Sequence, residues 1–303
     1  ANTTATTTNF AGIVISGSES DAIGTGTTLC DFNIIDSNTI NGGYYGITQT
    51  ATFAGGANGY NKITNNKIND FYSYGIYVAA SYNTTIERNT ISRPTRTVLA
   101  DFYGIYFTAQ SNNSFISKNK IVNPFGGAPS NTSVFYGIYF NSSSPSAGND
   151  YIVSNNVIAG TNGNGIQYGI YNTGTSSMQL FHNTISLDNL TSTSTSTARG
   201  FYVTGAISGL IYYNNIISIT RGGTGSKHCI YFANTFNFVS DNNVFYTAFA
   251  SNNYMGYYNG FSLGLGSWQR ATKQDLLSLT DEPVYYAPNN PTYDFTPSNA
   301  AID

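Results

Sequence analysis

Phe102-Tyr103-Gly104-Ile105-Tyr106-Phe107, followed by Ile116-Ser117-Lys118-Asn119-Lys120-Ile121, decides the fold, because both phrases recur along most of the chain. Gly-Ile-Tyr stands at Gly75-Ile76-Tyr77, Gly104-Ile105-Tyr106, Gly137-Ile138-Tyr139 and Gly169-Ile170-Tyr171. Degenerate copies fall at Gly12-Ile13, Gly46-Ile47, Gly200-Phe201-Tyr202, Cys229-Ile230-Tyr231 and Gly256-Tyr257, and the steps between copies run from 27 to 34 residues. The second phrase is an aliphatic residue, two variable positions, Asn, one variable position and another aliphatic. It reads at Asn38, Asn66, Asn89, Asn119, Asn155, Asn183, Asn214 and Asn242. Self-similarity at this period marks a repeat architecture.

Each repeat has a physical reading. Ile116 and Ile121 both point inward in the second phrase, and their odd spacing requires a bend at Asn119. An Asn amide donates and accepts, so Asn residues at one bend in successive turns are expected to form an internal ladder. In the first phrase Ile105 and Phe107 face inward and Tyr106 outward. One turn of about 30 residues then holds two or three short strands and cannot bury its apolar face alone. Stacking at about 4.8 Å per turn closes a continuous core, and eight or nine turns make a rod roughly 40 Å long.

Composition agrees with strands. The 303 residues include 38 Asn, 31 Gly and 28 Ile but only 11 Leu, which suits β-branched strands separated by turns and starves helices of good formers. Length alone suggests two domains, a prior that repeat proteins override. Only 9% of the chain is charged and the net charge is −3, so a nucleic-acid partner is not expected. No apolar run approaches the roughly 18 to 20 residues of a membrane span and no basic-then-apolar leader opens the chain. The expectation is a soluble chain, either mature or a fragment, with no membrane insertion.

With Gly-Ile-Tyr and Asn-x-Ile recurring from about Gly12 to about Tyr258, the sequence resembles the right-handed parallel β-helix proteins of the pectate-lyase-like superfamily. The resemblance implies the handedness. It extends to the tail, where Trp268, Thr272, Asp275, Ser278, Pro283, Asp294-Phe295, Pro297-Ser298 and Ala301-Ile302-Asp303 look like the closing segment of secreted bacterial members. Such a segment covers the last turn, whose unpaired N–H and C=O groups would otherwise recruit another chain. The expected fold is all-β: one right-handed parallel β-helix over residues 1–260, and a capping segment of the same domain over 261–303. Ser267 is expected to cap one short helix running to about Leu277. The Thr-rich lead from Ala1 to Phe10 offers no comparable cap, so either chain is missing upstream or that edge meets a partner.

Insertions between Asn-x-Ile and the next Gly-Ile-Tyr fall on one corner of the rod, the longest being Ser92 to Phe102, Val122 to Phe135, Ser186 to Ala198 and Ser218 to Lys227. Thr191 to Thr197, alternating Thr and Ser, reads as a mobile surface loop. Alternation places Tyr77, Tyr106, Tyr139, Tyr171, Tyr202 and Tyr231 outward on consecutive turns. This column offers a binding or association face, since Tyr combines a large apolar ring with a polar tip; stacking that merely stabilises the turns is the plainer reading.

A second column precedes the glycines: Tyr45, Tyr74, Tyr103, Tyr136 and Tyr168, then Arg199 and His228, with Arg221 and Lys227 nearby. A polysaccharide lyase needs a base and a cation beside a uronate carboxylate, which makes His228, Arg199 and Tyr168 the catalytic candidates; solvated surface residues are the bland alternative. Paired-carboxylate hydrolysis is disfavoured. Asp36, Glu87 and Asp241 share a repeat position, but Thr64, Ser117, Ser154, Phe181 and Tyr213 interrupt them. His182 and His228 lie in different turns, so no metal or other cofactor is expected. Cys30 and Cys229 are about seven turns apart, too far for a disulfide.

The functional expectation is a secreted or cell-surface, non-catalytic structural or adhesive module, possessing a face for self-association into filaments or a matrix. A polysaccharide lyase and a glycan-binding module are the rivals, with extracellular polysaccharide as their partner.

Overall fold

The computed structural model describes residues 4, 6–27, 30–52, 58–288 and 293–302. Ala1 to Thr3 and Ala5 of the Thr-rich lead, and Asp303 of the closing motif, lie outside them. The described chain is a parallel β-coil in which each of eight turns contributes one strand to each of three sheets, and a ninth adds a last strand to one of them. Sheet A carries the Gly-Ile-Tyr strands, Ala11–Ile15, Tyr45–Thr50, Tyr74–Ala79, Phe102–Thr108, Phe135–Asn141, Gln167–Asn172, Ala198–Val203, Lys227–Phe232 and Asn253–Tyr258, stacked in that order. Sheets B and C have eight strands each, from Ile34–Asp36 to Phe238–Asp241 and from Thr39–Asn41 to Val244–Thr247. The inward aliphatics form one core. Ile63, Ile86 and Ile116 are paired in register on sheet B, as are Ile68, Ile91 and Ile121 on sheet C, and all six are fully buried.

The corner between sheets B and C explains the Asn phrase. Ser37, Asn65, Arg88, Lys118, Asn155, His182, Asn214 and Asn242 take left-handed φ of 54–59° and turn the chain. The next residue in each turn, Asn38, Asn66, Asn89, Asn119, Asn156, Asn183, Asn215 and Asn243, forms the ladder. In every step an Oδ1 accepts both the backbone N–H and the side-chain Nδ2–H of the Asn one turn earlier, at 2.8–3.2 Å. Nδ2 also reaches the strand carbonyl of the earlier turn, as in Asn119 to Ile86 O at 2.9 Å. Three expected ladder positions therefore move by one residue: Asn155, Asn214 and Asn242 supply the left-handed turn, and Asn156, Asn215 and Asn243 the ladder.

The glycine of Gly-Ile-Tyr has a separate cause. Tyr136 and Tyr139 are both half-buried on the outer side while Gly137 and Ile138 between them are both buried, so this strand, like those at Gly75, Gly169 and Gly200, is irregular there. A Cβ on Gly137 would sit 2.5 Å from Gly169 O and 2.8 Å from Ile158 Cγ2, a core side chain of sheet C. Cys229 takes this position one turn from the end, buried, its Sγ directed at Tyr246 O at 3.4 Å.

The tail closes the coil. Phe261–Leu263 pairs antiparallel with the last sheet A strand, and a helix, Leu265–Thr272, lays the fully buried Trp268 over Gly256. Trp268 Nε1 donates to Asp275 Oδ2 at 2.8 Å, and Asp275 Oδ1 accepts from Ser240 Oγ, Asn243 Nδ2 and Ser278 Oγ. Ser278 Oγ in turn accepts from Asn243 N at 2.9 Å, so the ladder ends on a hydroxyl instead of on solvent. The helix differs from the expected one. Gly264 is its N-cap, Ser267 lies in its first turn accepting from Arg270, and Lys273 ends it at φ 60°, well before Leu277.

Two loop expectations change. A long insertion, between Asn141 and Tyr151, also joins sheet A to sheet B, so insertions occupy two corners. The Thr-Ser segment is bonded to its neighbours: Ser192 Oγ donates to Asn164 Oδ1 at 3.0 Å, Ser194 Oγ to Asn164 O at 2.5 Å, and Thr224 N to Ser194 O at 3.1 Å. Its small hydroxyl side chains allow a close stack of loops, not a free excursion.

Candidate functional site

Both tyrosine columns lie on sheet A in strict register. Tyr45, Tyr74, Tyr103, Tyr136 and Tyr168 pair turn by turn, and then Arg199, His228 and Tyr254 continue the column. Tyr77, Tyr106, Tyr139, Tyr171, Tyr202 and Tyr231 form the second, which Tyr257 extends. Because the glycine brings both tyrosines of a strand to the same side, the columns interlock into one wall. Successive rings in the second column are 5.0, 5.1, 4.7, 5.0 and 5.1 Å apart, centroid to centroid, from Tyr77 to Tyr231. Tyr74 and Tyr103 stack at 4.5 Å and 9° in the first.

The wall is half-buried and not a freely exposed stripe. Five of the six expected outward tyrosines are partly covered by their neighbours, and Tyr106 is only 9% exposed, its hydroxyl accepting from Asn141 Nδ2 at 2.8 Å. Burial holds five of these phenols protonated well beyond neutral pH. Desolvation, and then the neighbouring rings, push Tyr77 and Tyr139 up to about 12 and Tyr74 further still; desolvation, with Asp101 and the neighbouring rings, does the same to Tyr103 and Tyr136. At neutral pH this is an aromatic surface edged with hydroxyls, in which Arg199 is the one charged group of the two columns.

Arg199 and His228 are neighbours in register, as the sequence placed them, yet neither is a solvated side chain. The Arg199 guanidinium carbon lies 3.7 Å from the Tyr231 ring centroid and 4.1 Å from that of Tyr202, with Tyr168 at 5.9 Å. His228 is 3% exposed; its Nε2 shares a hydrogen bond of 3.0 Å with Ser262 Oγ, and its Nδ1 is buried without a partner. Burial, and then Arg199, lower its pKa to about 4, so the ring is neutral at pH 7. Arg221 and Lys227 do not join them. Both turn into the loop layer, Lys227 Nζ donating to Gly223 O at 3.0 Å and Gly225 O at 3.1 Å, and Arg221 to Thr197 O. Of the four basic residues only Arg199 and His228 come together, and at neutral pH Arg199 carries the charge.

The acidic column is interrupted as read: Asp36, Thr64, Glu87, Ser117, Ser154, Phe181, Tyr213 and Asp241 pair in sequence along sheet B. Among the described residues no three His, Cys, Asp or Glu side chains converge as a metal site, and no helix is long and apolar enough to cross a membrane.

One feature of the surface had no signal in the repeats. Past the cap the tail turns back along the rod, and between it and the loops lies a groove of about 480 Å³ lined by Asp188, Ser218, Tyr285 and Tyr293, among others. Asp188 accepts there from Thr161 N at 2.8 Å, Gly160 N at 3.1 Å and Ser186 Oγ at 3.2 Å, while burial raises its pKa.

No curated protein and no solved structure matches the chain. Residues 2–185 match the family described as right handed beta helix region, which is more than half of the 303 residues. The repeats, the Asn ladder and the three parallel sheets agree with that match, and the chain belongs to the right-handed beta helix family.

Proposed function

We propose that the protein is a non-catalytic β-helix module of the cell surface or extracellular space, structural or adhesive in role, whose contact surface is the tyrosine wall of sheet A. The observation that carries this reading is the continuity of the wall: half-buried phenols in ring contact over successive turns, uncharged, on a rigid backbone. Rigid aromatic rings with polar tips give large contact area at little entropic cost. A chain with 9% charged residues also has little electrostatic repulsion to oppose association. The proposed partner is a second copy of the chain, joined laterally or into filaments.

Two features weigh against a lyase at Arg199, His228 and Tyr168. The His228 nitrogens are either bonded to Ser262 or buried, and a ring with a pKa near 4 is a poor base at neutral pH. The Arg199 guanidinium packs on tyrosine rings. Glycan binding on the same wall is the second reading, favoured by the near-parallel rings of Tyr74, Tyr103 and Tyr136, on which sugar rings would stack.

Light scattering with negative-stain imaging over a concentration series tests the proposal. Rods longer or wider than one protomer that disappear in Tyr139→Ala are expected. A strict monomer that pulls down an insoluble polysaccharide through Tyr139 would move the reading to glycan binding. Cleavage of a polyuronate, lost in His228→Ala, would overturn it.

A further inference from the structure

The last two turns contain a ring pair unlike the others. Tyr231 and Tyr257 are register partners with centroids 4.0 Å apart and planes within 1°, the closest and most nearly parallel pair on the wall. They stand one turn apart on parallel strands in register, so the rings lie over one another with like edges together. Both are half-buried and neither is sealed from solvent. Arg199 sits on Tyr231 at 3.7 Å and opposes the burial that holds this phenol protonated. The other contacts in the column, of 4.7–5.1 Å, lead through Tyr202, Tyr171, Tyr139 and Tyr106 to Tyr77, a path of touching phenols that ends at this pair.

We propose that Tyr231 and Tyr257 form an oxidative cross-linking site, at which a peroxide-consuming oxidant couples the two rings, ortho carbon to ortho carbon, into an intrachain dityrosine. Each phenol gives one electron and one proton, and hydrogen peroxide takes up both pairs to become two waters. The two phenoxyl radicals form one C–C bond, and the hydrogens on the two bonded carbons move to oxygen, restoring both phenols. The product lacks two hydrogens and ties the last strand of sheet A to the turn before it, beside the cap. Coupling is favoured because the register already holds the reacting rings together, which removes the entropic cost of their encounter. The site does not depend on what the tyrosine wall binds.

The test is oxidation of the dilute full-length chain by a haem peroxidase with hydrogen peroxide, followed by dityrosine fluorescence, intact mass and peptide mapping. A monomer lacking two hydrogens, with the bond mapped between Tyr231 and Tyr257, is expected. Tyr257→Phe, which keeps the ring packing, lowers the intrachain yield by about tenfold or more. The unoxidised variant should keep the wild-type circular dichroism spectrum, separating loss of the reaction from loss of the fold. Absence of dityrosine under conditions that couple free tyrosine, an intrachain yield unchanged in Tyr257→Phe, or cross-links only between chains through the exposed Tyr60 and Tyr286 would each overturn the proposal.

Discussion

Two columns of identical side chains run the length of this rod, and they differ in what they leave over. At the corner between sheets B and C, the Asn side chains from position 66 to position 243 are buried, and their amides are spent on the turns before and after. On sheet A the tyrosines also stack from turn to turn, but all except the buried Tyr45 and Tyr106 keep part of a ring at the surface. A repeated residue is therefore not one kind of signal. The Asn column closes upon itself and specifies the coil, whereas the Tyr column supports the coil and still has chemistry to offer a partner.

Substitutions in the two columns should separate these roles. The largest effect is expected at Asn119→Ala, which removes the Nδ2 bonds to Ile86 O and Asn156 Oδ1 and leaves the backbone N–H and Nδ2 of Asn89 without their acceptor. A loss of about 4 kcal/mol is expected from several hydrogen bonds and the buried groups left unpaired, read by urea unfolding. Less than 1 kcal/mol would show that the ladder is incidental to stability.

Gly104→Ala probes the seam between core and wall. Its Cβ would stand 2.4 Å from Gly137 O and 2.9 Å from Ile121 Cγ2, so a cost of about 3 kcal/mol is expected in the same assay. A neutral result would mean that the strand irregularity, not the missing side chain, brings both tyrosines outward.

The His228 interruption in the tyrosine column gives a pH-dependent difference. Its folded pKa of about 4 lies below the ordinary 6.5, so the stability from burying the neutral ring is fully present above 6.5 and is lost as pH falls through 4. About 3 kcal/mol should disappear over that window, and His228→Tyr, which leaves Arg199 as the column's one interruption, should abolish this part of the acid sensitivity. Identical pH profiles for the two proteins would contradict the assignment.

The smallest stability change is expected on the wall itself. Tyr139→Ala removes a partly exposed ring and should cost about 1 kcal/mol, because the inward Ile138 and Phe140 keep the core intact.

The coil was legible because each turn repeats its grammar: an inward aliphatic, an Asn at the bend, a Gly-Ile-Tyr strand. The expected and observed ladder differ by one residue only where two Asn stand together, at Asn155-Asn156, Asn214-Asn215 and Asn242-Asn243. There, adjacent aliphatics such as Val157-Ile158 and Ile216-Ile217 satisfy either frame. Choosing between frames requires knowing which Asn takes the left-handed φ, and both Asn residues tolerate it. The two tyrosine columns were visible from alternation, but not their interlocking, which depends on a glycine that turns two successive residues inward. The His228 environment was hidden because Ser262 reaches it from the antiparallel strand of the tail, outside the repeat. The groove at Asp188 and Tyr285 was hidden for the same reason.

The central claim is that the tyrosine wall serves contact beyond what the fold requires. The most direct measurement is the solution mass and thermal unfolding of the double variant Tyr139→Ala, Tyr171→Ala beside the wild type, at matched concentrations. The account predicts a protein that still unfolds cooperatively within several degrees of the wild type and no longer associates. Unchanged association, or a collapse of the fold together with it, would contradict that claim and leave the tyrosines as part of the scaffold alone.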